Sequence, residues 1–218
     1  MSTAPLRCCL LSGGGSRRMG TDKALLPHPE GGTWLERSLR LLLSLERPVC
    51  LLSRHRAHRL LAPAPVEVLD EPPPWDGPLT ALARLMDRYP GDHLLLCPVD
   101  MPWLDRPTLE ALIAAGTEVS GTEAGGTEAG GAAVPAGSLL TAHDGRRDQP
   151  LLGIYPATAA NRAALRLYLA AGDRRLLGWL QRRGHRPVPL PAAALRNCNR
   201  PAAWPGPWLV SSQSIPPG

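Results

Sequence analysis

Residues 8–23, Cys-Cys-Leu-Leu-Ser-Gly-Gly-Gly-Ser-Arg-Arg-Met-Gly-Thr-Asp-Lys, constrain this chain more than any other stretch. The apolar start, Cys8 to Leu11, reads as a short buried strand. Three successive glycines, Gly13, Gly14 and Gly15, let the following backbone close around a ligand with its N–H groups turned inward. Arg17, Arg18 and Lys23 then supply cations suited to phosphate oxygens. A strand feeding such a loop predicts a polyphosphate site. Two common phosphate loops are excluded. A Walker A loop needs Gly-Lys-Ser/Thr after its spacer; Gly15 and Gly20 have the spacing, but Thr21-Asp22 follows. A dinucleotide fingerprint starting at Gly13 needs glycine at position 18, where Arg18 stands.

The rest of the chain supplies a scaffold for that loop. Its 218 residues suffice for one sizeable α/β domain with a full core. Helix-like and strand-like segments alternate, which predicts a doubly wound, mostly parallel sheet with helices on both faces. Residues 33–45 place Trp34, Leu35, Leu39, Leu42 and Leu43 on one helical face. Residues 77–89 begin Gly-Pro, with the proline where a helix needs no N–H. Apolar runs at 49–52, 66–69 and 93–97 read as strands between helices.

Composition narrows the function further. The net charge of +5 invites a nucleic-acid reading, but aromatic residues make up only 4% of the chain, too few for a stacking platform. The arginines are scattered through amphipathic helices, so a basic cleft for an anionic small substrate accounts for the same excess. Five cysteines, Cys8, Cys9, Cys50, Cys97 and Cys198, lack metal-ligand spacing. Their odd number and the absence of a signal peptide point to a cytoplasmic protein, with no membrane span. Three copies of a Gly-Thr-Glu unit start at Gly116, Gly121 and Gly126. Such a tract buries too little apolar surface to order itself, so a mobile insertion is expected over about 116–131. The expected organisation is one domain over 1–204 and a flexible tail over 205–218.

The loop from Leu11 to Lys23 resembles the signature loop of nucleotidyltransferases that activate a small phosphorylated acceptor with a nucleoside triphosphate. It is most similar to that of the molybdenum cofactor guanylyltransferases, which read Leu-Ala-Gly-Gly where this chain has Leu11-Ser12-Gly13-Gly14. Further motifs follow in the same order as in that family: Asp70-Glu-Pro-Pro-Pro-Trp-Asp-Gly-Pro-Leu79, Leu96-Cys-Pro-Val-Asp100-Met-Pro102, Asp144-Gly-Arg-Arg-Asp148-Gln-Pro150, Ala170-Ala-Gly-Asp-Arg-Arg175 and Asn197-Cys-Asn199. The resemblance implies transfer of GMP from GTP to the terminal phosphate of molybdenum-bound molybdopterin.

On the residues themselves, the loop, Asp70 and Asp100 all follow predicted strands, so they can converge at the carboxyl edge of one sheet. Asp100 is the candidate magnesium ligand, since that ion takes one or two carboxylates plus phosphate oxygens and water. Asp70 is expected to read guanine, whose N1–H and N2–H₂ can both donate to one carboxylate. The resemblance adds Leu11, Ser12, Gly13, Gly14 and Gly77 to the nucleotide site. It also implies an asparagine after the second strand, where this chain reads Ser53-Arg54-His55, leaving Ser53 or Arg54 to substitute. Arg18 and Lys23, with Asp100, are assigned to the catalytic phosphates. Asp22 either orients Lys23 and joins the acceptor site or caps the next turn. By resemblance, Arg147, Asp148, Arg175, Asn197 and Asn199 face the acceptor. The implied partners are GTP and molybdopterin, together with proteins that deliver the cofactor or mature molybdoenzymes. A CTP-using relative and a non-catalytic nucleotide- or pterin-binding carrier are the alternative readings.

Overall fold

A computed structural model describes residues 4–14, 22–117 and 137–198. Arg17, Arg18, residues 118–136, Asn199 and the tail lie outside the described residues.

Among the described residues seven strands form one sheet: β1 (Leu6–Leu11), β2 (Val49–Ser53), β3 (Glu67–Asp70), β4 (His93–Pro98), β5 (Leu139–His143), β6 (Asp148–Pro156) and β7 (His185–Pro189). Their order is β3-β2-β1-β4-β6-β5-β7. Beta-1 pairs in parallel with both β2 and β4. The chain therefore builds outward on one side of β1 and then crosses to the other, which opens a crevice at their carboxyl ends. Only β6 runs against its neighbours, antiparallel to β4 and to β5. It returns through a turn in which Asp144 Oδ1 accepts the backbone N–H groups of Arg146 and Arg147, each at 2.9 Å. The reversal has a functional consequence: the start of β6 lies at the same edge as the ends of the parallel strands.

Both sheet faces are buried, as a parallel sheet requires. Side-chain alternation along β1 sends Cys8 and Leu10 to one core and Cys9 to the other. Helices α1 (Trp34–Leu43) and α4 (Arg106–Thr117) cover the first core, through Leu35, Leu39, Leu42, Leu109 and Leu112. Helices α3 (Pro78–Arg88), α5 (Ala159–Ala170) and α6 (Leu176–Arg183) cover the second, through Leu82, Leu85, Leu165, Trp179 and Leu180. Each such buried leucine contributes about 1.5–3 kcal/mol. A short helix, α2 (Arg56–Leu61), follows β2. The start of α1 is fixed by a reciprocal cap between Thr33 and Glu36. That of α3 is fixed by Pro78 behind Gly77, whose φ of +98° favours glycine.

The expected doubly wound sheet is present, with β6 as its one reversed strand. All five cysteines are buried. Helix α4 takes in Gly116 and Thr117, the first two residues of the repeat tract. Among the described residues no helix is long and apolar enough to cross a membrane.

Candidate active site

A cleft of about 530 Å³ opens at the carboxyl ends of β1, β2 and β4. Leu11, Ser12, Gly13 and Gly14 line it, together with Gly77 and Pro78. A Cβ on Gly13 would run into the Glu71 carboxylate, so that side chain packs directly against the loop backbone. One side of the cleft is charged. Asp22, Lys23 and Asp100 line it. Lys23 Nζ lies 3.5 Å from Asp100 Oδ2. Asp22 caps the 3-10 turn Lys23–Leu25 by accepting the Ala24 N–H at 3.1 Å, so the lysine leaves a fixed turn.

Asp100 carries the metal question. Burial pushes its carboxyl above the ordinary value, against the pull of the Lys23 ammonium. Its Oδ1 is buried with no hydrogen-bond partner among the described residues. No group of three or more His, Cys, Asp or Glu side chains converges on a metal position among those residues. A single carboxylate with one oxygen left over, in a cleft lined by the glycine backbone, fits magnesium rather than a caged ion.

At the ends of β2 and β3, Asp70 and Ser53 stand outside the cleft lining, whereas Arg54, the other candidate for the missing asparagine, is part of it. Asp70 is 78% exposed, paired with Arg59, and does not line the cleft. Ser53 is buried, its Oγ bonded to His58 and to the Ser12 carbonyl. The two are in register as the last pair of β2 and β3, so they share an orientation. One step on, Arg54 and Glu71 turn the other way, and both line the cleft. Glu71 is therefore the carboxylate at these strand ends that faces into the cleft. Burial raises its pKa, with Arg84, Arg54 and His55 opposing. Trp75 closes that side, its Nε1–H donating to the Glu71 carbonyl at 2.9 Å and its ring under the Arg54 guanidinium at 4.7 Å.

Of the expected acceptor residues, Asp22 lines the cleft, whereas Arg147, Asp148, Arg175 and Asn197 do not, and Asn199 lies outside the described residues. Arg147 and Arg175 are 73% and 82% exposed and pair with Asp144 and Asp173. Asp148 Oδ2 lies 2.9 Å from His185 Nε2. Asn197 is tied to the cleft through its neighbour: the Cys198 N–H donates to the Asp100 carbonyl at 2.9 Å. The Cys198 side chain anchors this segment in a small core with Leu26 and Trp34. Asn197 Nδ2 donates to Gln149 Oε1 at 3.1 Å, and Gln149 Nε2 to Asp144 Oδ2 at 2.7 Å. Backbone N–H groups of Arg147 and Arg146 pull the Asp144 carboxyl down to about 2. A hydrogen-bonded chain thus links the β5–β6 turn to the segment behind Asp100. Sequence reasoning passed over Glu71, Gln149, Cys198 and the buried His58. Only Glu71 carried a signal, its place one step beyond a strand end.

With this geometry in hand, the similarities to known proteins are informative. The family described as MobA-like NTP transferase domain matches residues 8–186. A Rhodopirellula baltica protein named probable molybdenum cofactor guanylyltransferase is 35% identical over 205 residues, 91% of this chain and 89% of that protein. One of the same name from Synechococcus elongatus is 33% identical over 200 residues, 89% of this chain and 94% of its own. The crystal structure of molybdopterin-guanine dinucleotide biosynthesis protein A from Archaeoglobus fulgidus superposes with a TM-score of 0.65 at 18% identity, covering 90% of this chain and 93% of that one. That last likeness establishes the fold.

Proposed function

Since the chain belongs to the MobA-like NTP transferase family, we propose that it transfers GMP from GTP to the terminal phosphate of molybdenum-bound molybdopterin. The products are molybdopterin guanine dinucleotide and pyrophosphate. The observation that carries this reading is the Lys23–Asp100 pair lining one cleft with the Gly13–Gly14 backbone. The acceptor phosphate is already anionic at neutral pH, so no base is needed to activate it. Its oxygen attacks the α-phosphorus of GTP in line, the bond to the β-phosphate oxygen breaks, and pyrophosphate leaves with the electron pair. The work of the protein is positioning and charge neutralisation. Backbone N–H groups of the glycine loop and the Lys23 ammonium hold the phosphates. Asp100 would hold magnesium, which supplies further neutralisation of the triphosphate when bound. Asn197, braced by Gln149 beside Asp100, supports an acceptor position on that side. Five cysteines packed as small apolar side chains suit action in the reducing cytoplasm.

Glu71 takes over in this reading the role first given to Asp70. One carboxylate accepts both guanine donors, N1–H and N2–H₂, whereas cytosine presents a single amino donor there. Glu71→Gln is expected to raise the KM for GTP about tenfold and to narrow the preference over CTP, because an amide accepts through one oxygen only. The pH dependence has a definite sign. Glu71 binds guanine as the anion, and its raised pKa means that the anion is lost earlier on acidification than an exposed glutamate would be. GTP affinity of the wild type therefore weakens first as the pH falls, and the glutamine variant lacks that step. Titration calorimetry across pH on both proteins checks it.

The function itself is tested by magnesium-dependent pyrophosphate release with molybdenum-loaded molybdopterin, comparing GTP with CTP. Release with GTP is expected. Release with CTP alone would keep the reaction class and overturn the base assignment; release with neither would overturn the reading.

A further inference from the structure

His58 is fully buried, yet none of its ring bonds goes to the packed core. It sits on α2, and its partners are the residues that build the cleft. Nε2 lies 2.9 Å from Asp22 Oδ2. On the other edge, Nδ1 lies 2.8 Å from Ser53 Oγ and 3.1 Å from Ser12 Oγ. Ser53 Oγ in turn stands 3.2 Å from the Ser12 carbonyl and accepts the His55 N–H at 3.1 Å. A carboxylate only accepts hydrogen bonds, so Nε2 carries a proton and donates it to Asp22. The ring is held at both edges and has no freedom to turn.

We propose that His58 is a positioning residue that locks the phosphate side of the cleft, through Asp22 and the turn carrying Lys23, to the base side, through Ser12 and Ser53. The proposal rests on the nucleotidyltransferase reading for its effect on GTP, but its structural core is independent of it. Asp22 has two tasks: Oδ1 caps the turn that launches Lys23, and Oδ2 is occupied by His58. Burial alone would raise the Asp22 pKa, but the hydrogen bond and charge of His58, with the Ala24 N–H and His55, hold it below the ordinary value. Asp22 is thus an anion at the rim of a site meant for a polyanion. While His58 holds it, that charge is engaged away from the phosphates. Without His58 the carboxylate is free to turn toward its neighbour Lys23 and compete with the triphosphate for the ammonium. On the other edge, loss of the ring leaves Ser12 and Ser53 without their shared partner just beneath the glycine loop.

Two conservative substitutions separate the edges. In His58→Gln the amide nitrogen reaches the place of Nε2 and keeps the bond to Asp22. In His58→Asn the amide reaches only the place of Nδ1 and keeps the serines. The expected result is that His58→Asn raises the KM for GTP about tenfold with kcat changed less than threefold, while His58→Gln stays within about threefold of wild type in both. Amide hydrogen exchange of the ligand-free protein gives the readout that needs no activity. His58→Asn speeds exchange over residues 22–25, and His58→Gln does not. Ser53→Ala provides the same test from the far edge, in case His58→Asn does not fold: faster exchange over 22–25 is expected there too. The proposal is overturned if the Gln and Asn variants show the same KM, or if exchange over 22–25 is unchanged in the folded Asn and Ser53→Ala variants. A wild type that binds no GTP would overturn the functional reading, and the exchange comparison would still decide the lock.

Discussion

Lys23→Ala is expected to lower the rate of pyrophosphate release by about 10²–10³-fold, the usual cost of removing one preorganised group that stabilises developing charge. Lys23 leaves a capped turn beside the glycine loop, and its ammonium stands 3.5 Å from Asp100 on the same side of the cleft. The reaction moves negative charge from the attacking oxygen to the departing pyrophosphate, so a cation fixed before the substrate arrives stabilises the transition state without reorganising. The lysine also offsets the charge of Asp100. Both side chains keep some exposure, 15% and 22%, so the pair contributes less to stability than a fully buried one. A drop in Tm of about 2–4 °C for each kcal/mol of ion-pair stabilisation lost is expected. Far-ultraviolet circular dichroism should remain native. Wild-type turnover in a folded Lys23→Ala protein would remove this residue from the chemistry.

What could be read from the sequence follows from where its signals are local. Strands β1, β2 and β4 are central and buried on both faces, so they appear as continuous apolar runs. Helices α1 and α3 announce their starts through Thr33 with Glu36 and through Gly77-Pro78. The glycine loop, Lys23 and Asp100 were legible because each directly follows a central strand or its loop. Strand β7 was not: it is an edge strand carrying Pro187 and Pro189, which an inner strand would exclude. The reversed direction of β6 depends on a tight turn around Asp144, and an apolar run does not reveal its own direction. Asp70 and Ser53 lie outside the cleft lining for a different reason. Side chains alternate along a strand, so locating its last residue one place wrong exchanges the inward residue for the outward one. Glu71 and Arg54 are those inward residues. His58, Gln149 and Cys198 act through partners 36 to 98 residues away in sequence, Asp22, Asn197 and Asp100, and no local pattern marks such contacts.

Asp100 offers the sharpest separation of function from stability. Asp100→Asn preserves the shape of the side chain and an oxygen for Lys23, but removes the charge. If Asp100 holds magnesium against the triphosphate, turnover falls by about 10²–10³-fold, several kcal/mol of lost charge stabilisation. Raising magnesium restores little of it, since a neutral amide is a poor ligand for so strongly hydrated an ion. Stability should move the other way. Burial raises the pKa of this carboxyl despite the nearby lysine, so folding disfavours its charged form. An orphaned buried Oδ1 adds to that cost. In metal-free buffer at neutral pH the asparagine variant is therefore expected to melt no lower than wild type. Magnesium with GTP should then raise the Tm of the wild type well above that of the variant, because only the wild type binds the pair tightly. Thermal scans of both proteins, with and without magnesium and GTP, check this directly. A variant that is both less stable without ligand and fully active would mean that Asp100 serves the fold and that the metal is held elsewhere. An inactive variant of equal or greater stability is the outcome of a carboxylate kept, against its own cost of burial, for a bound cation.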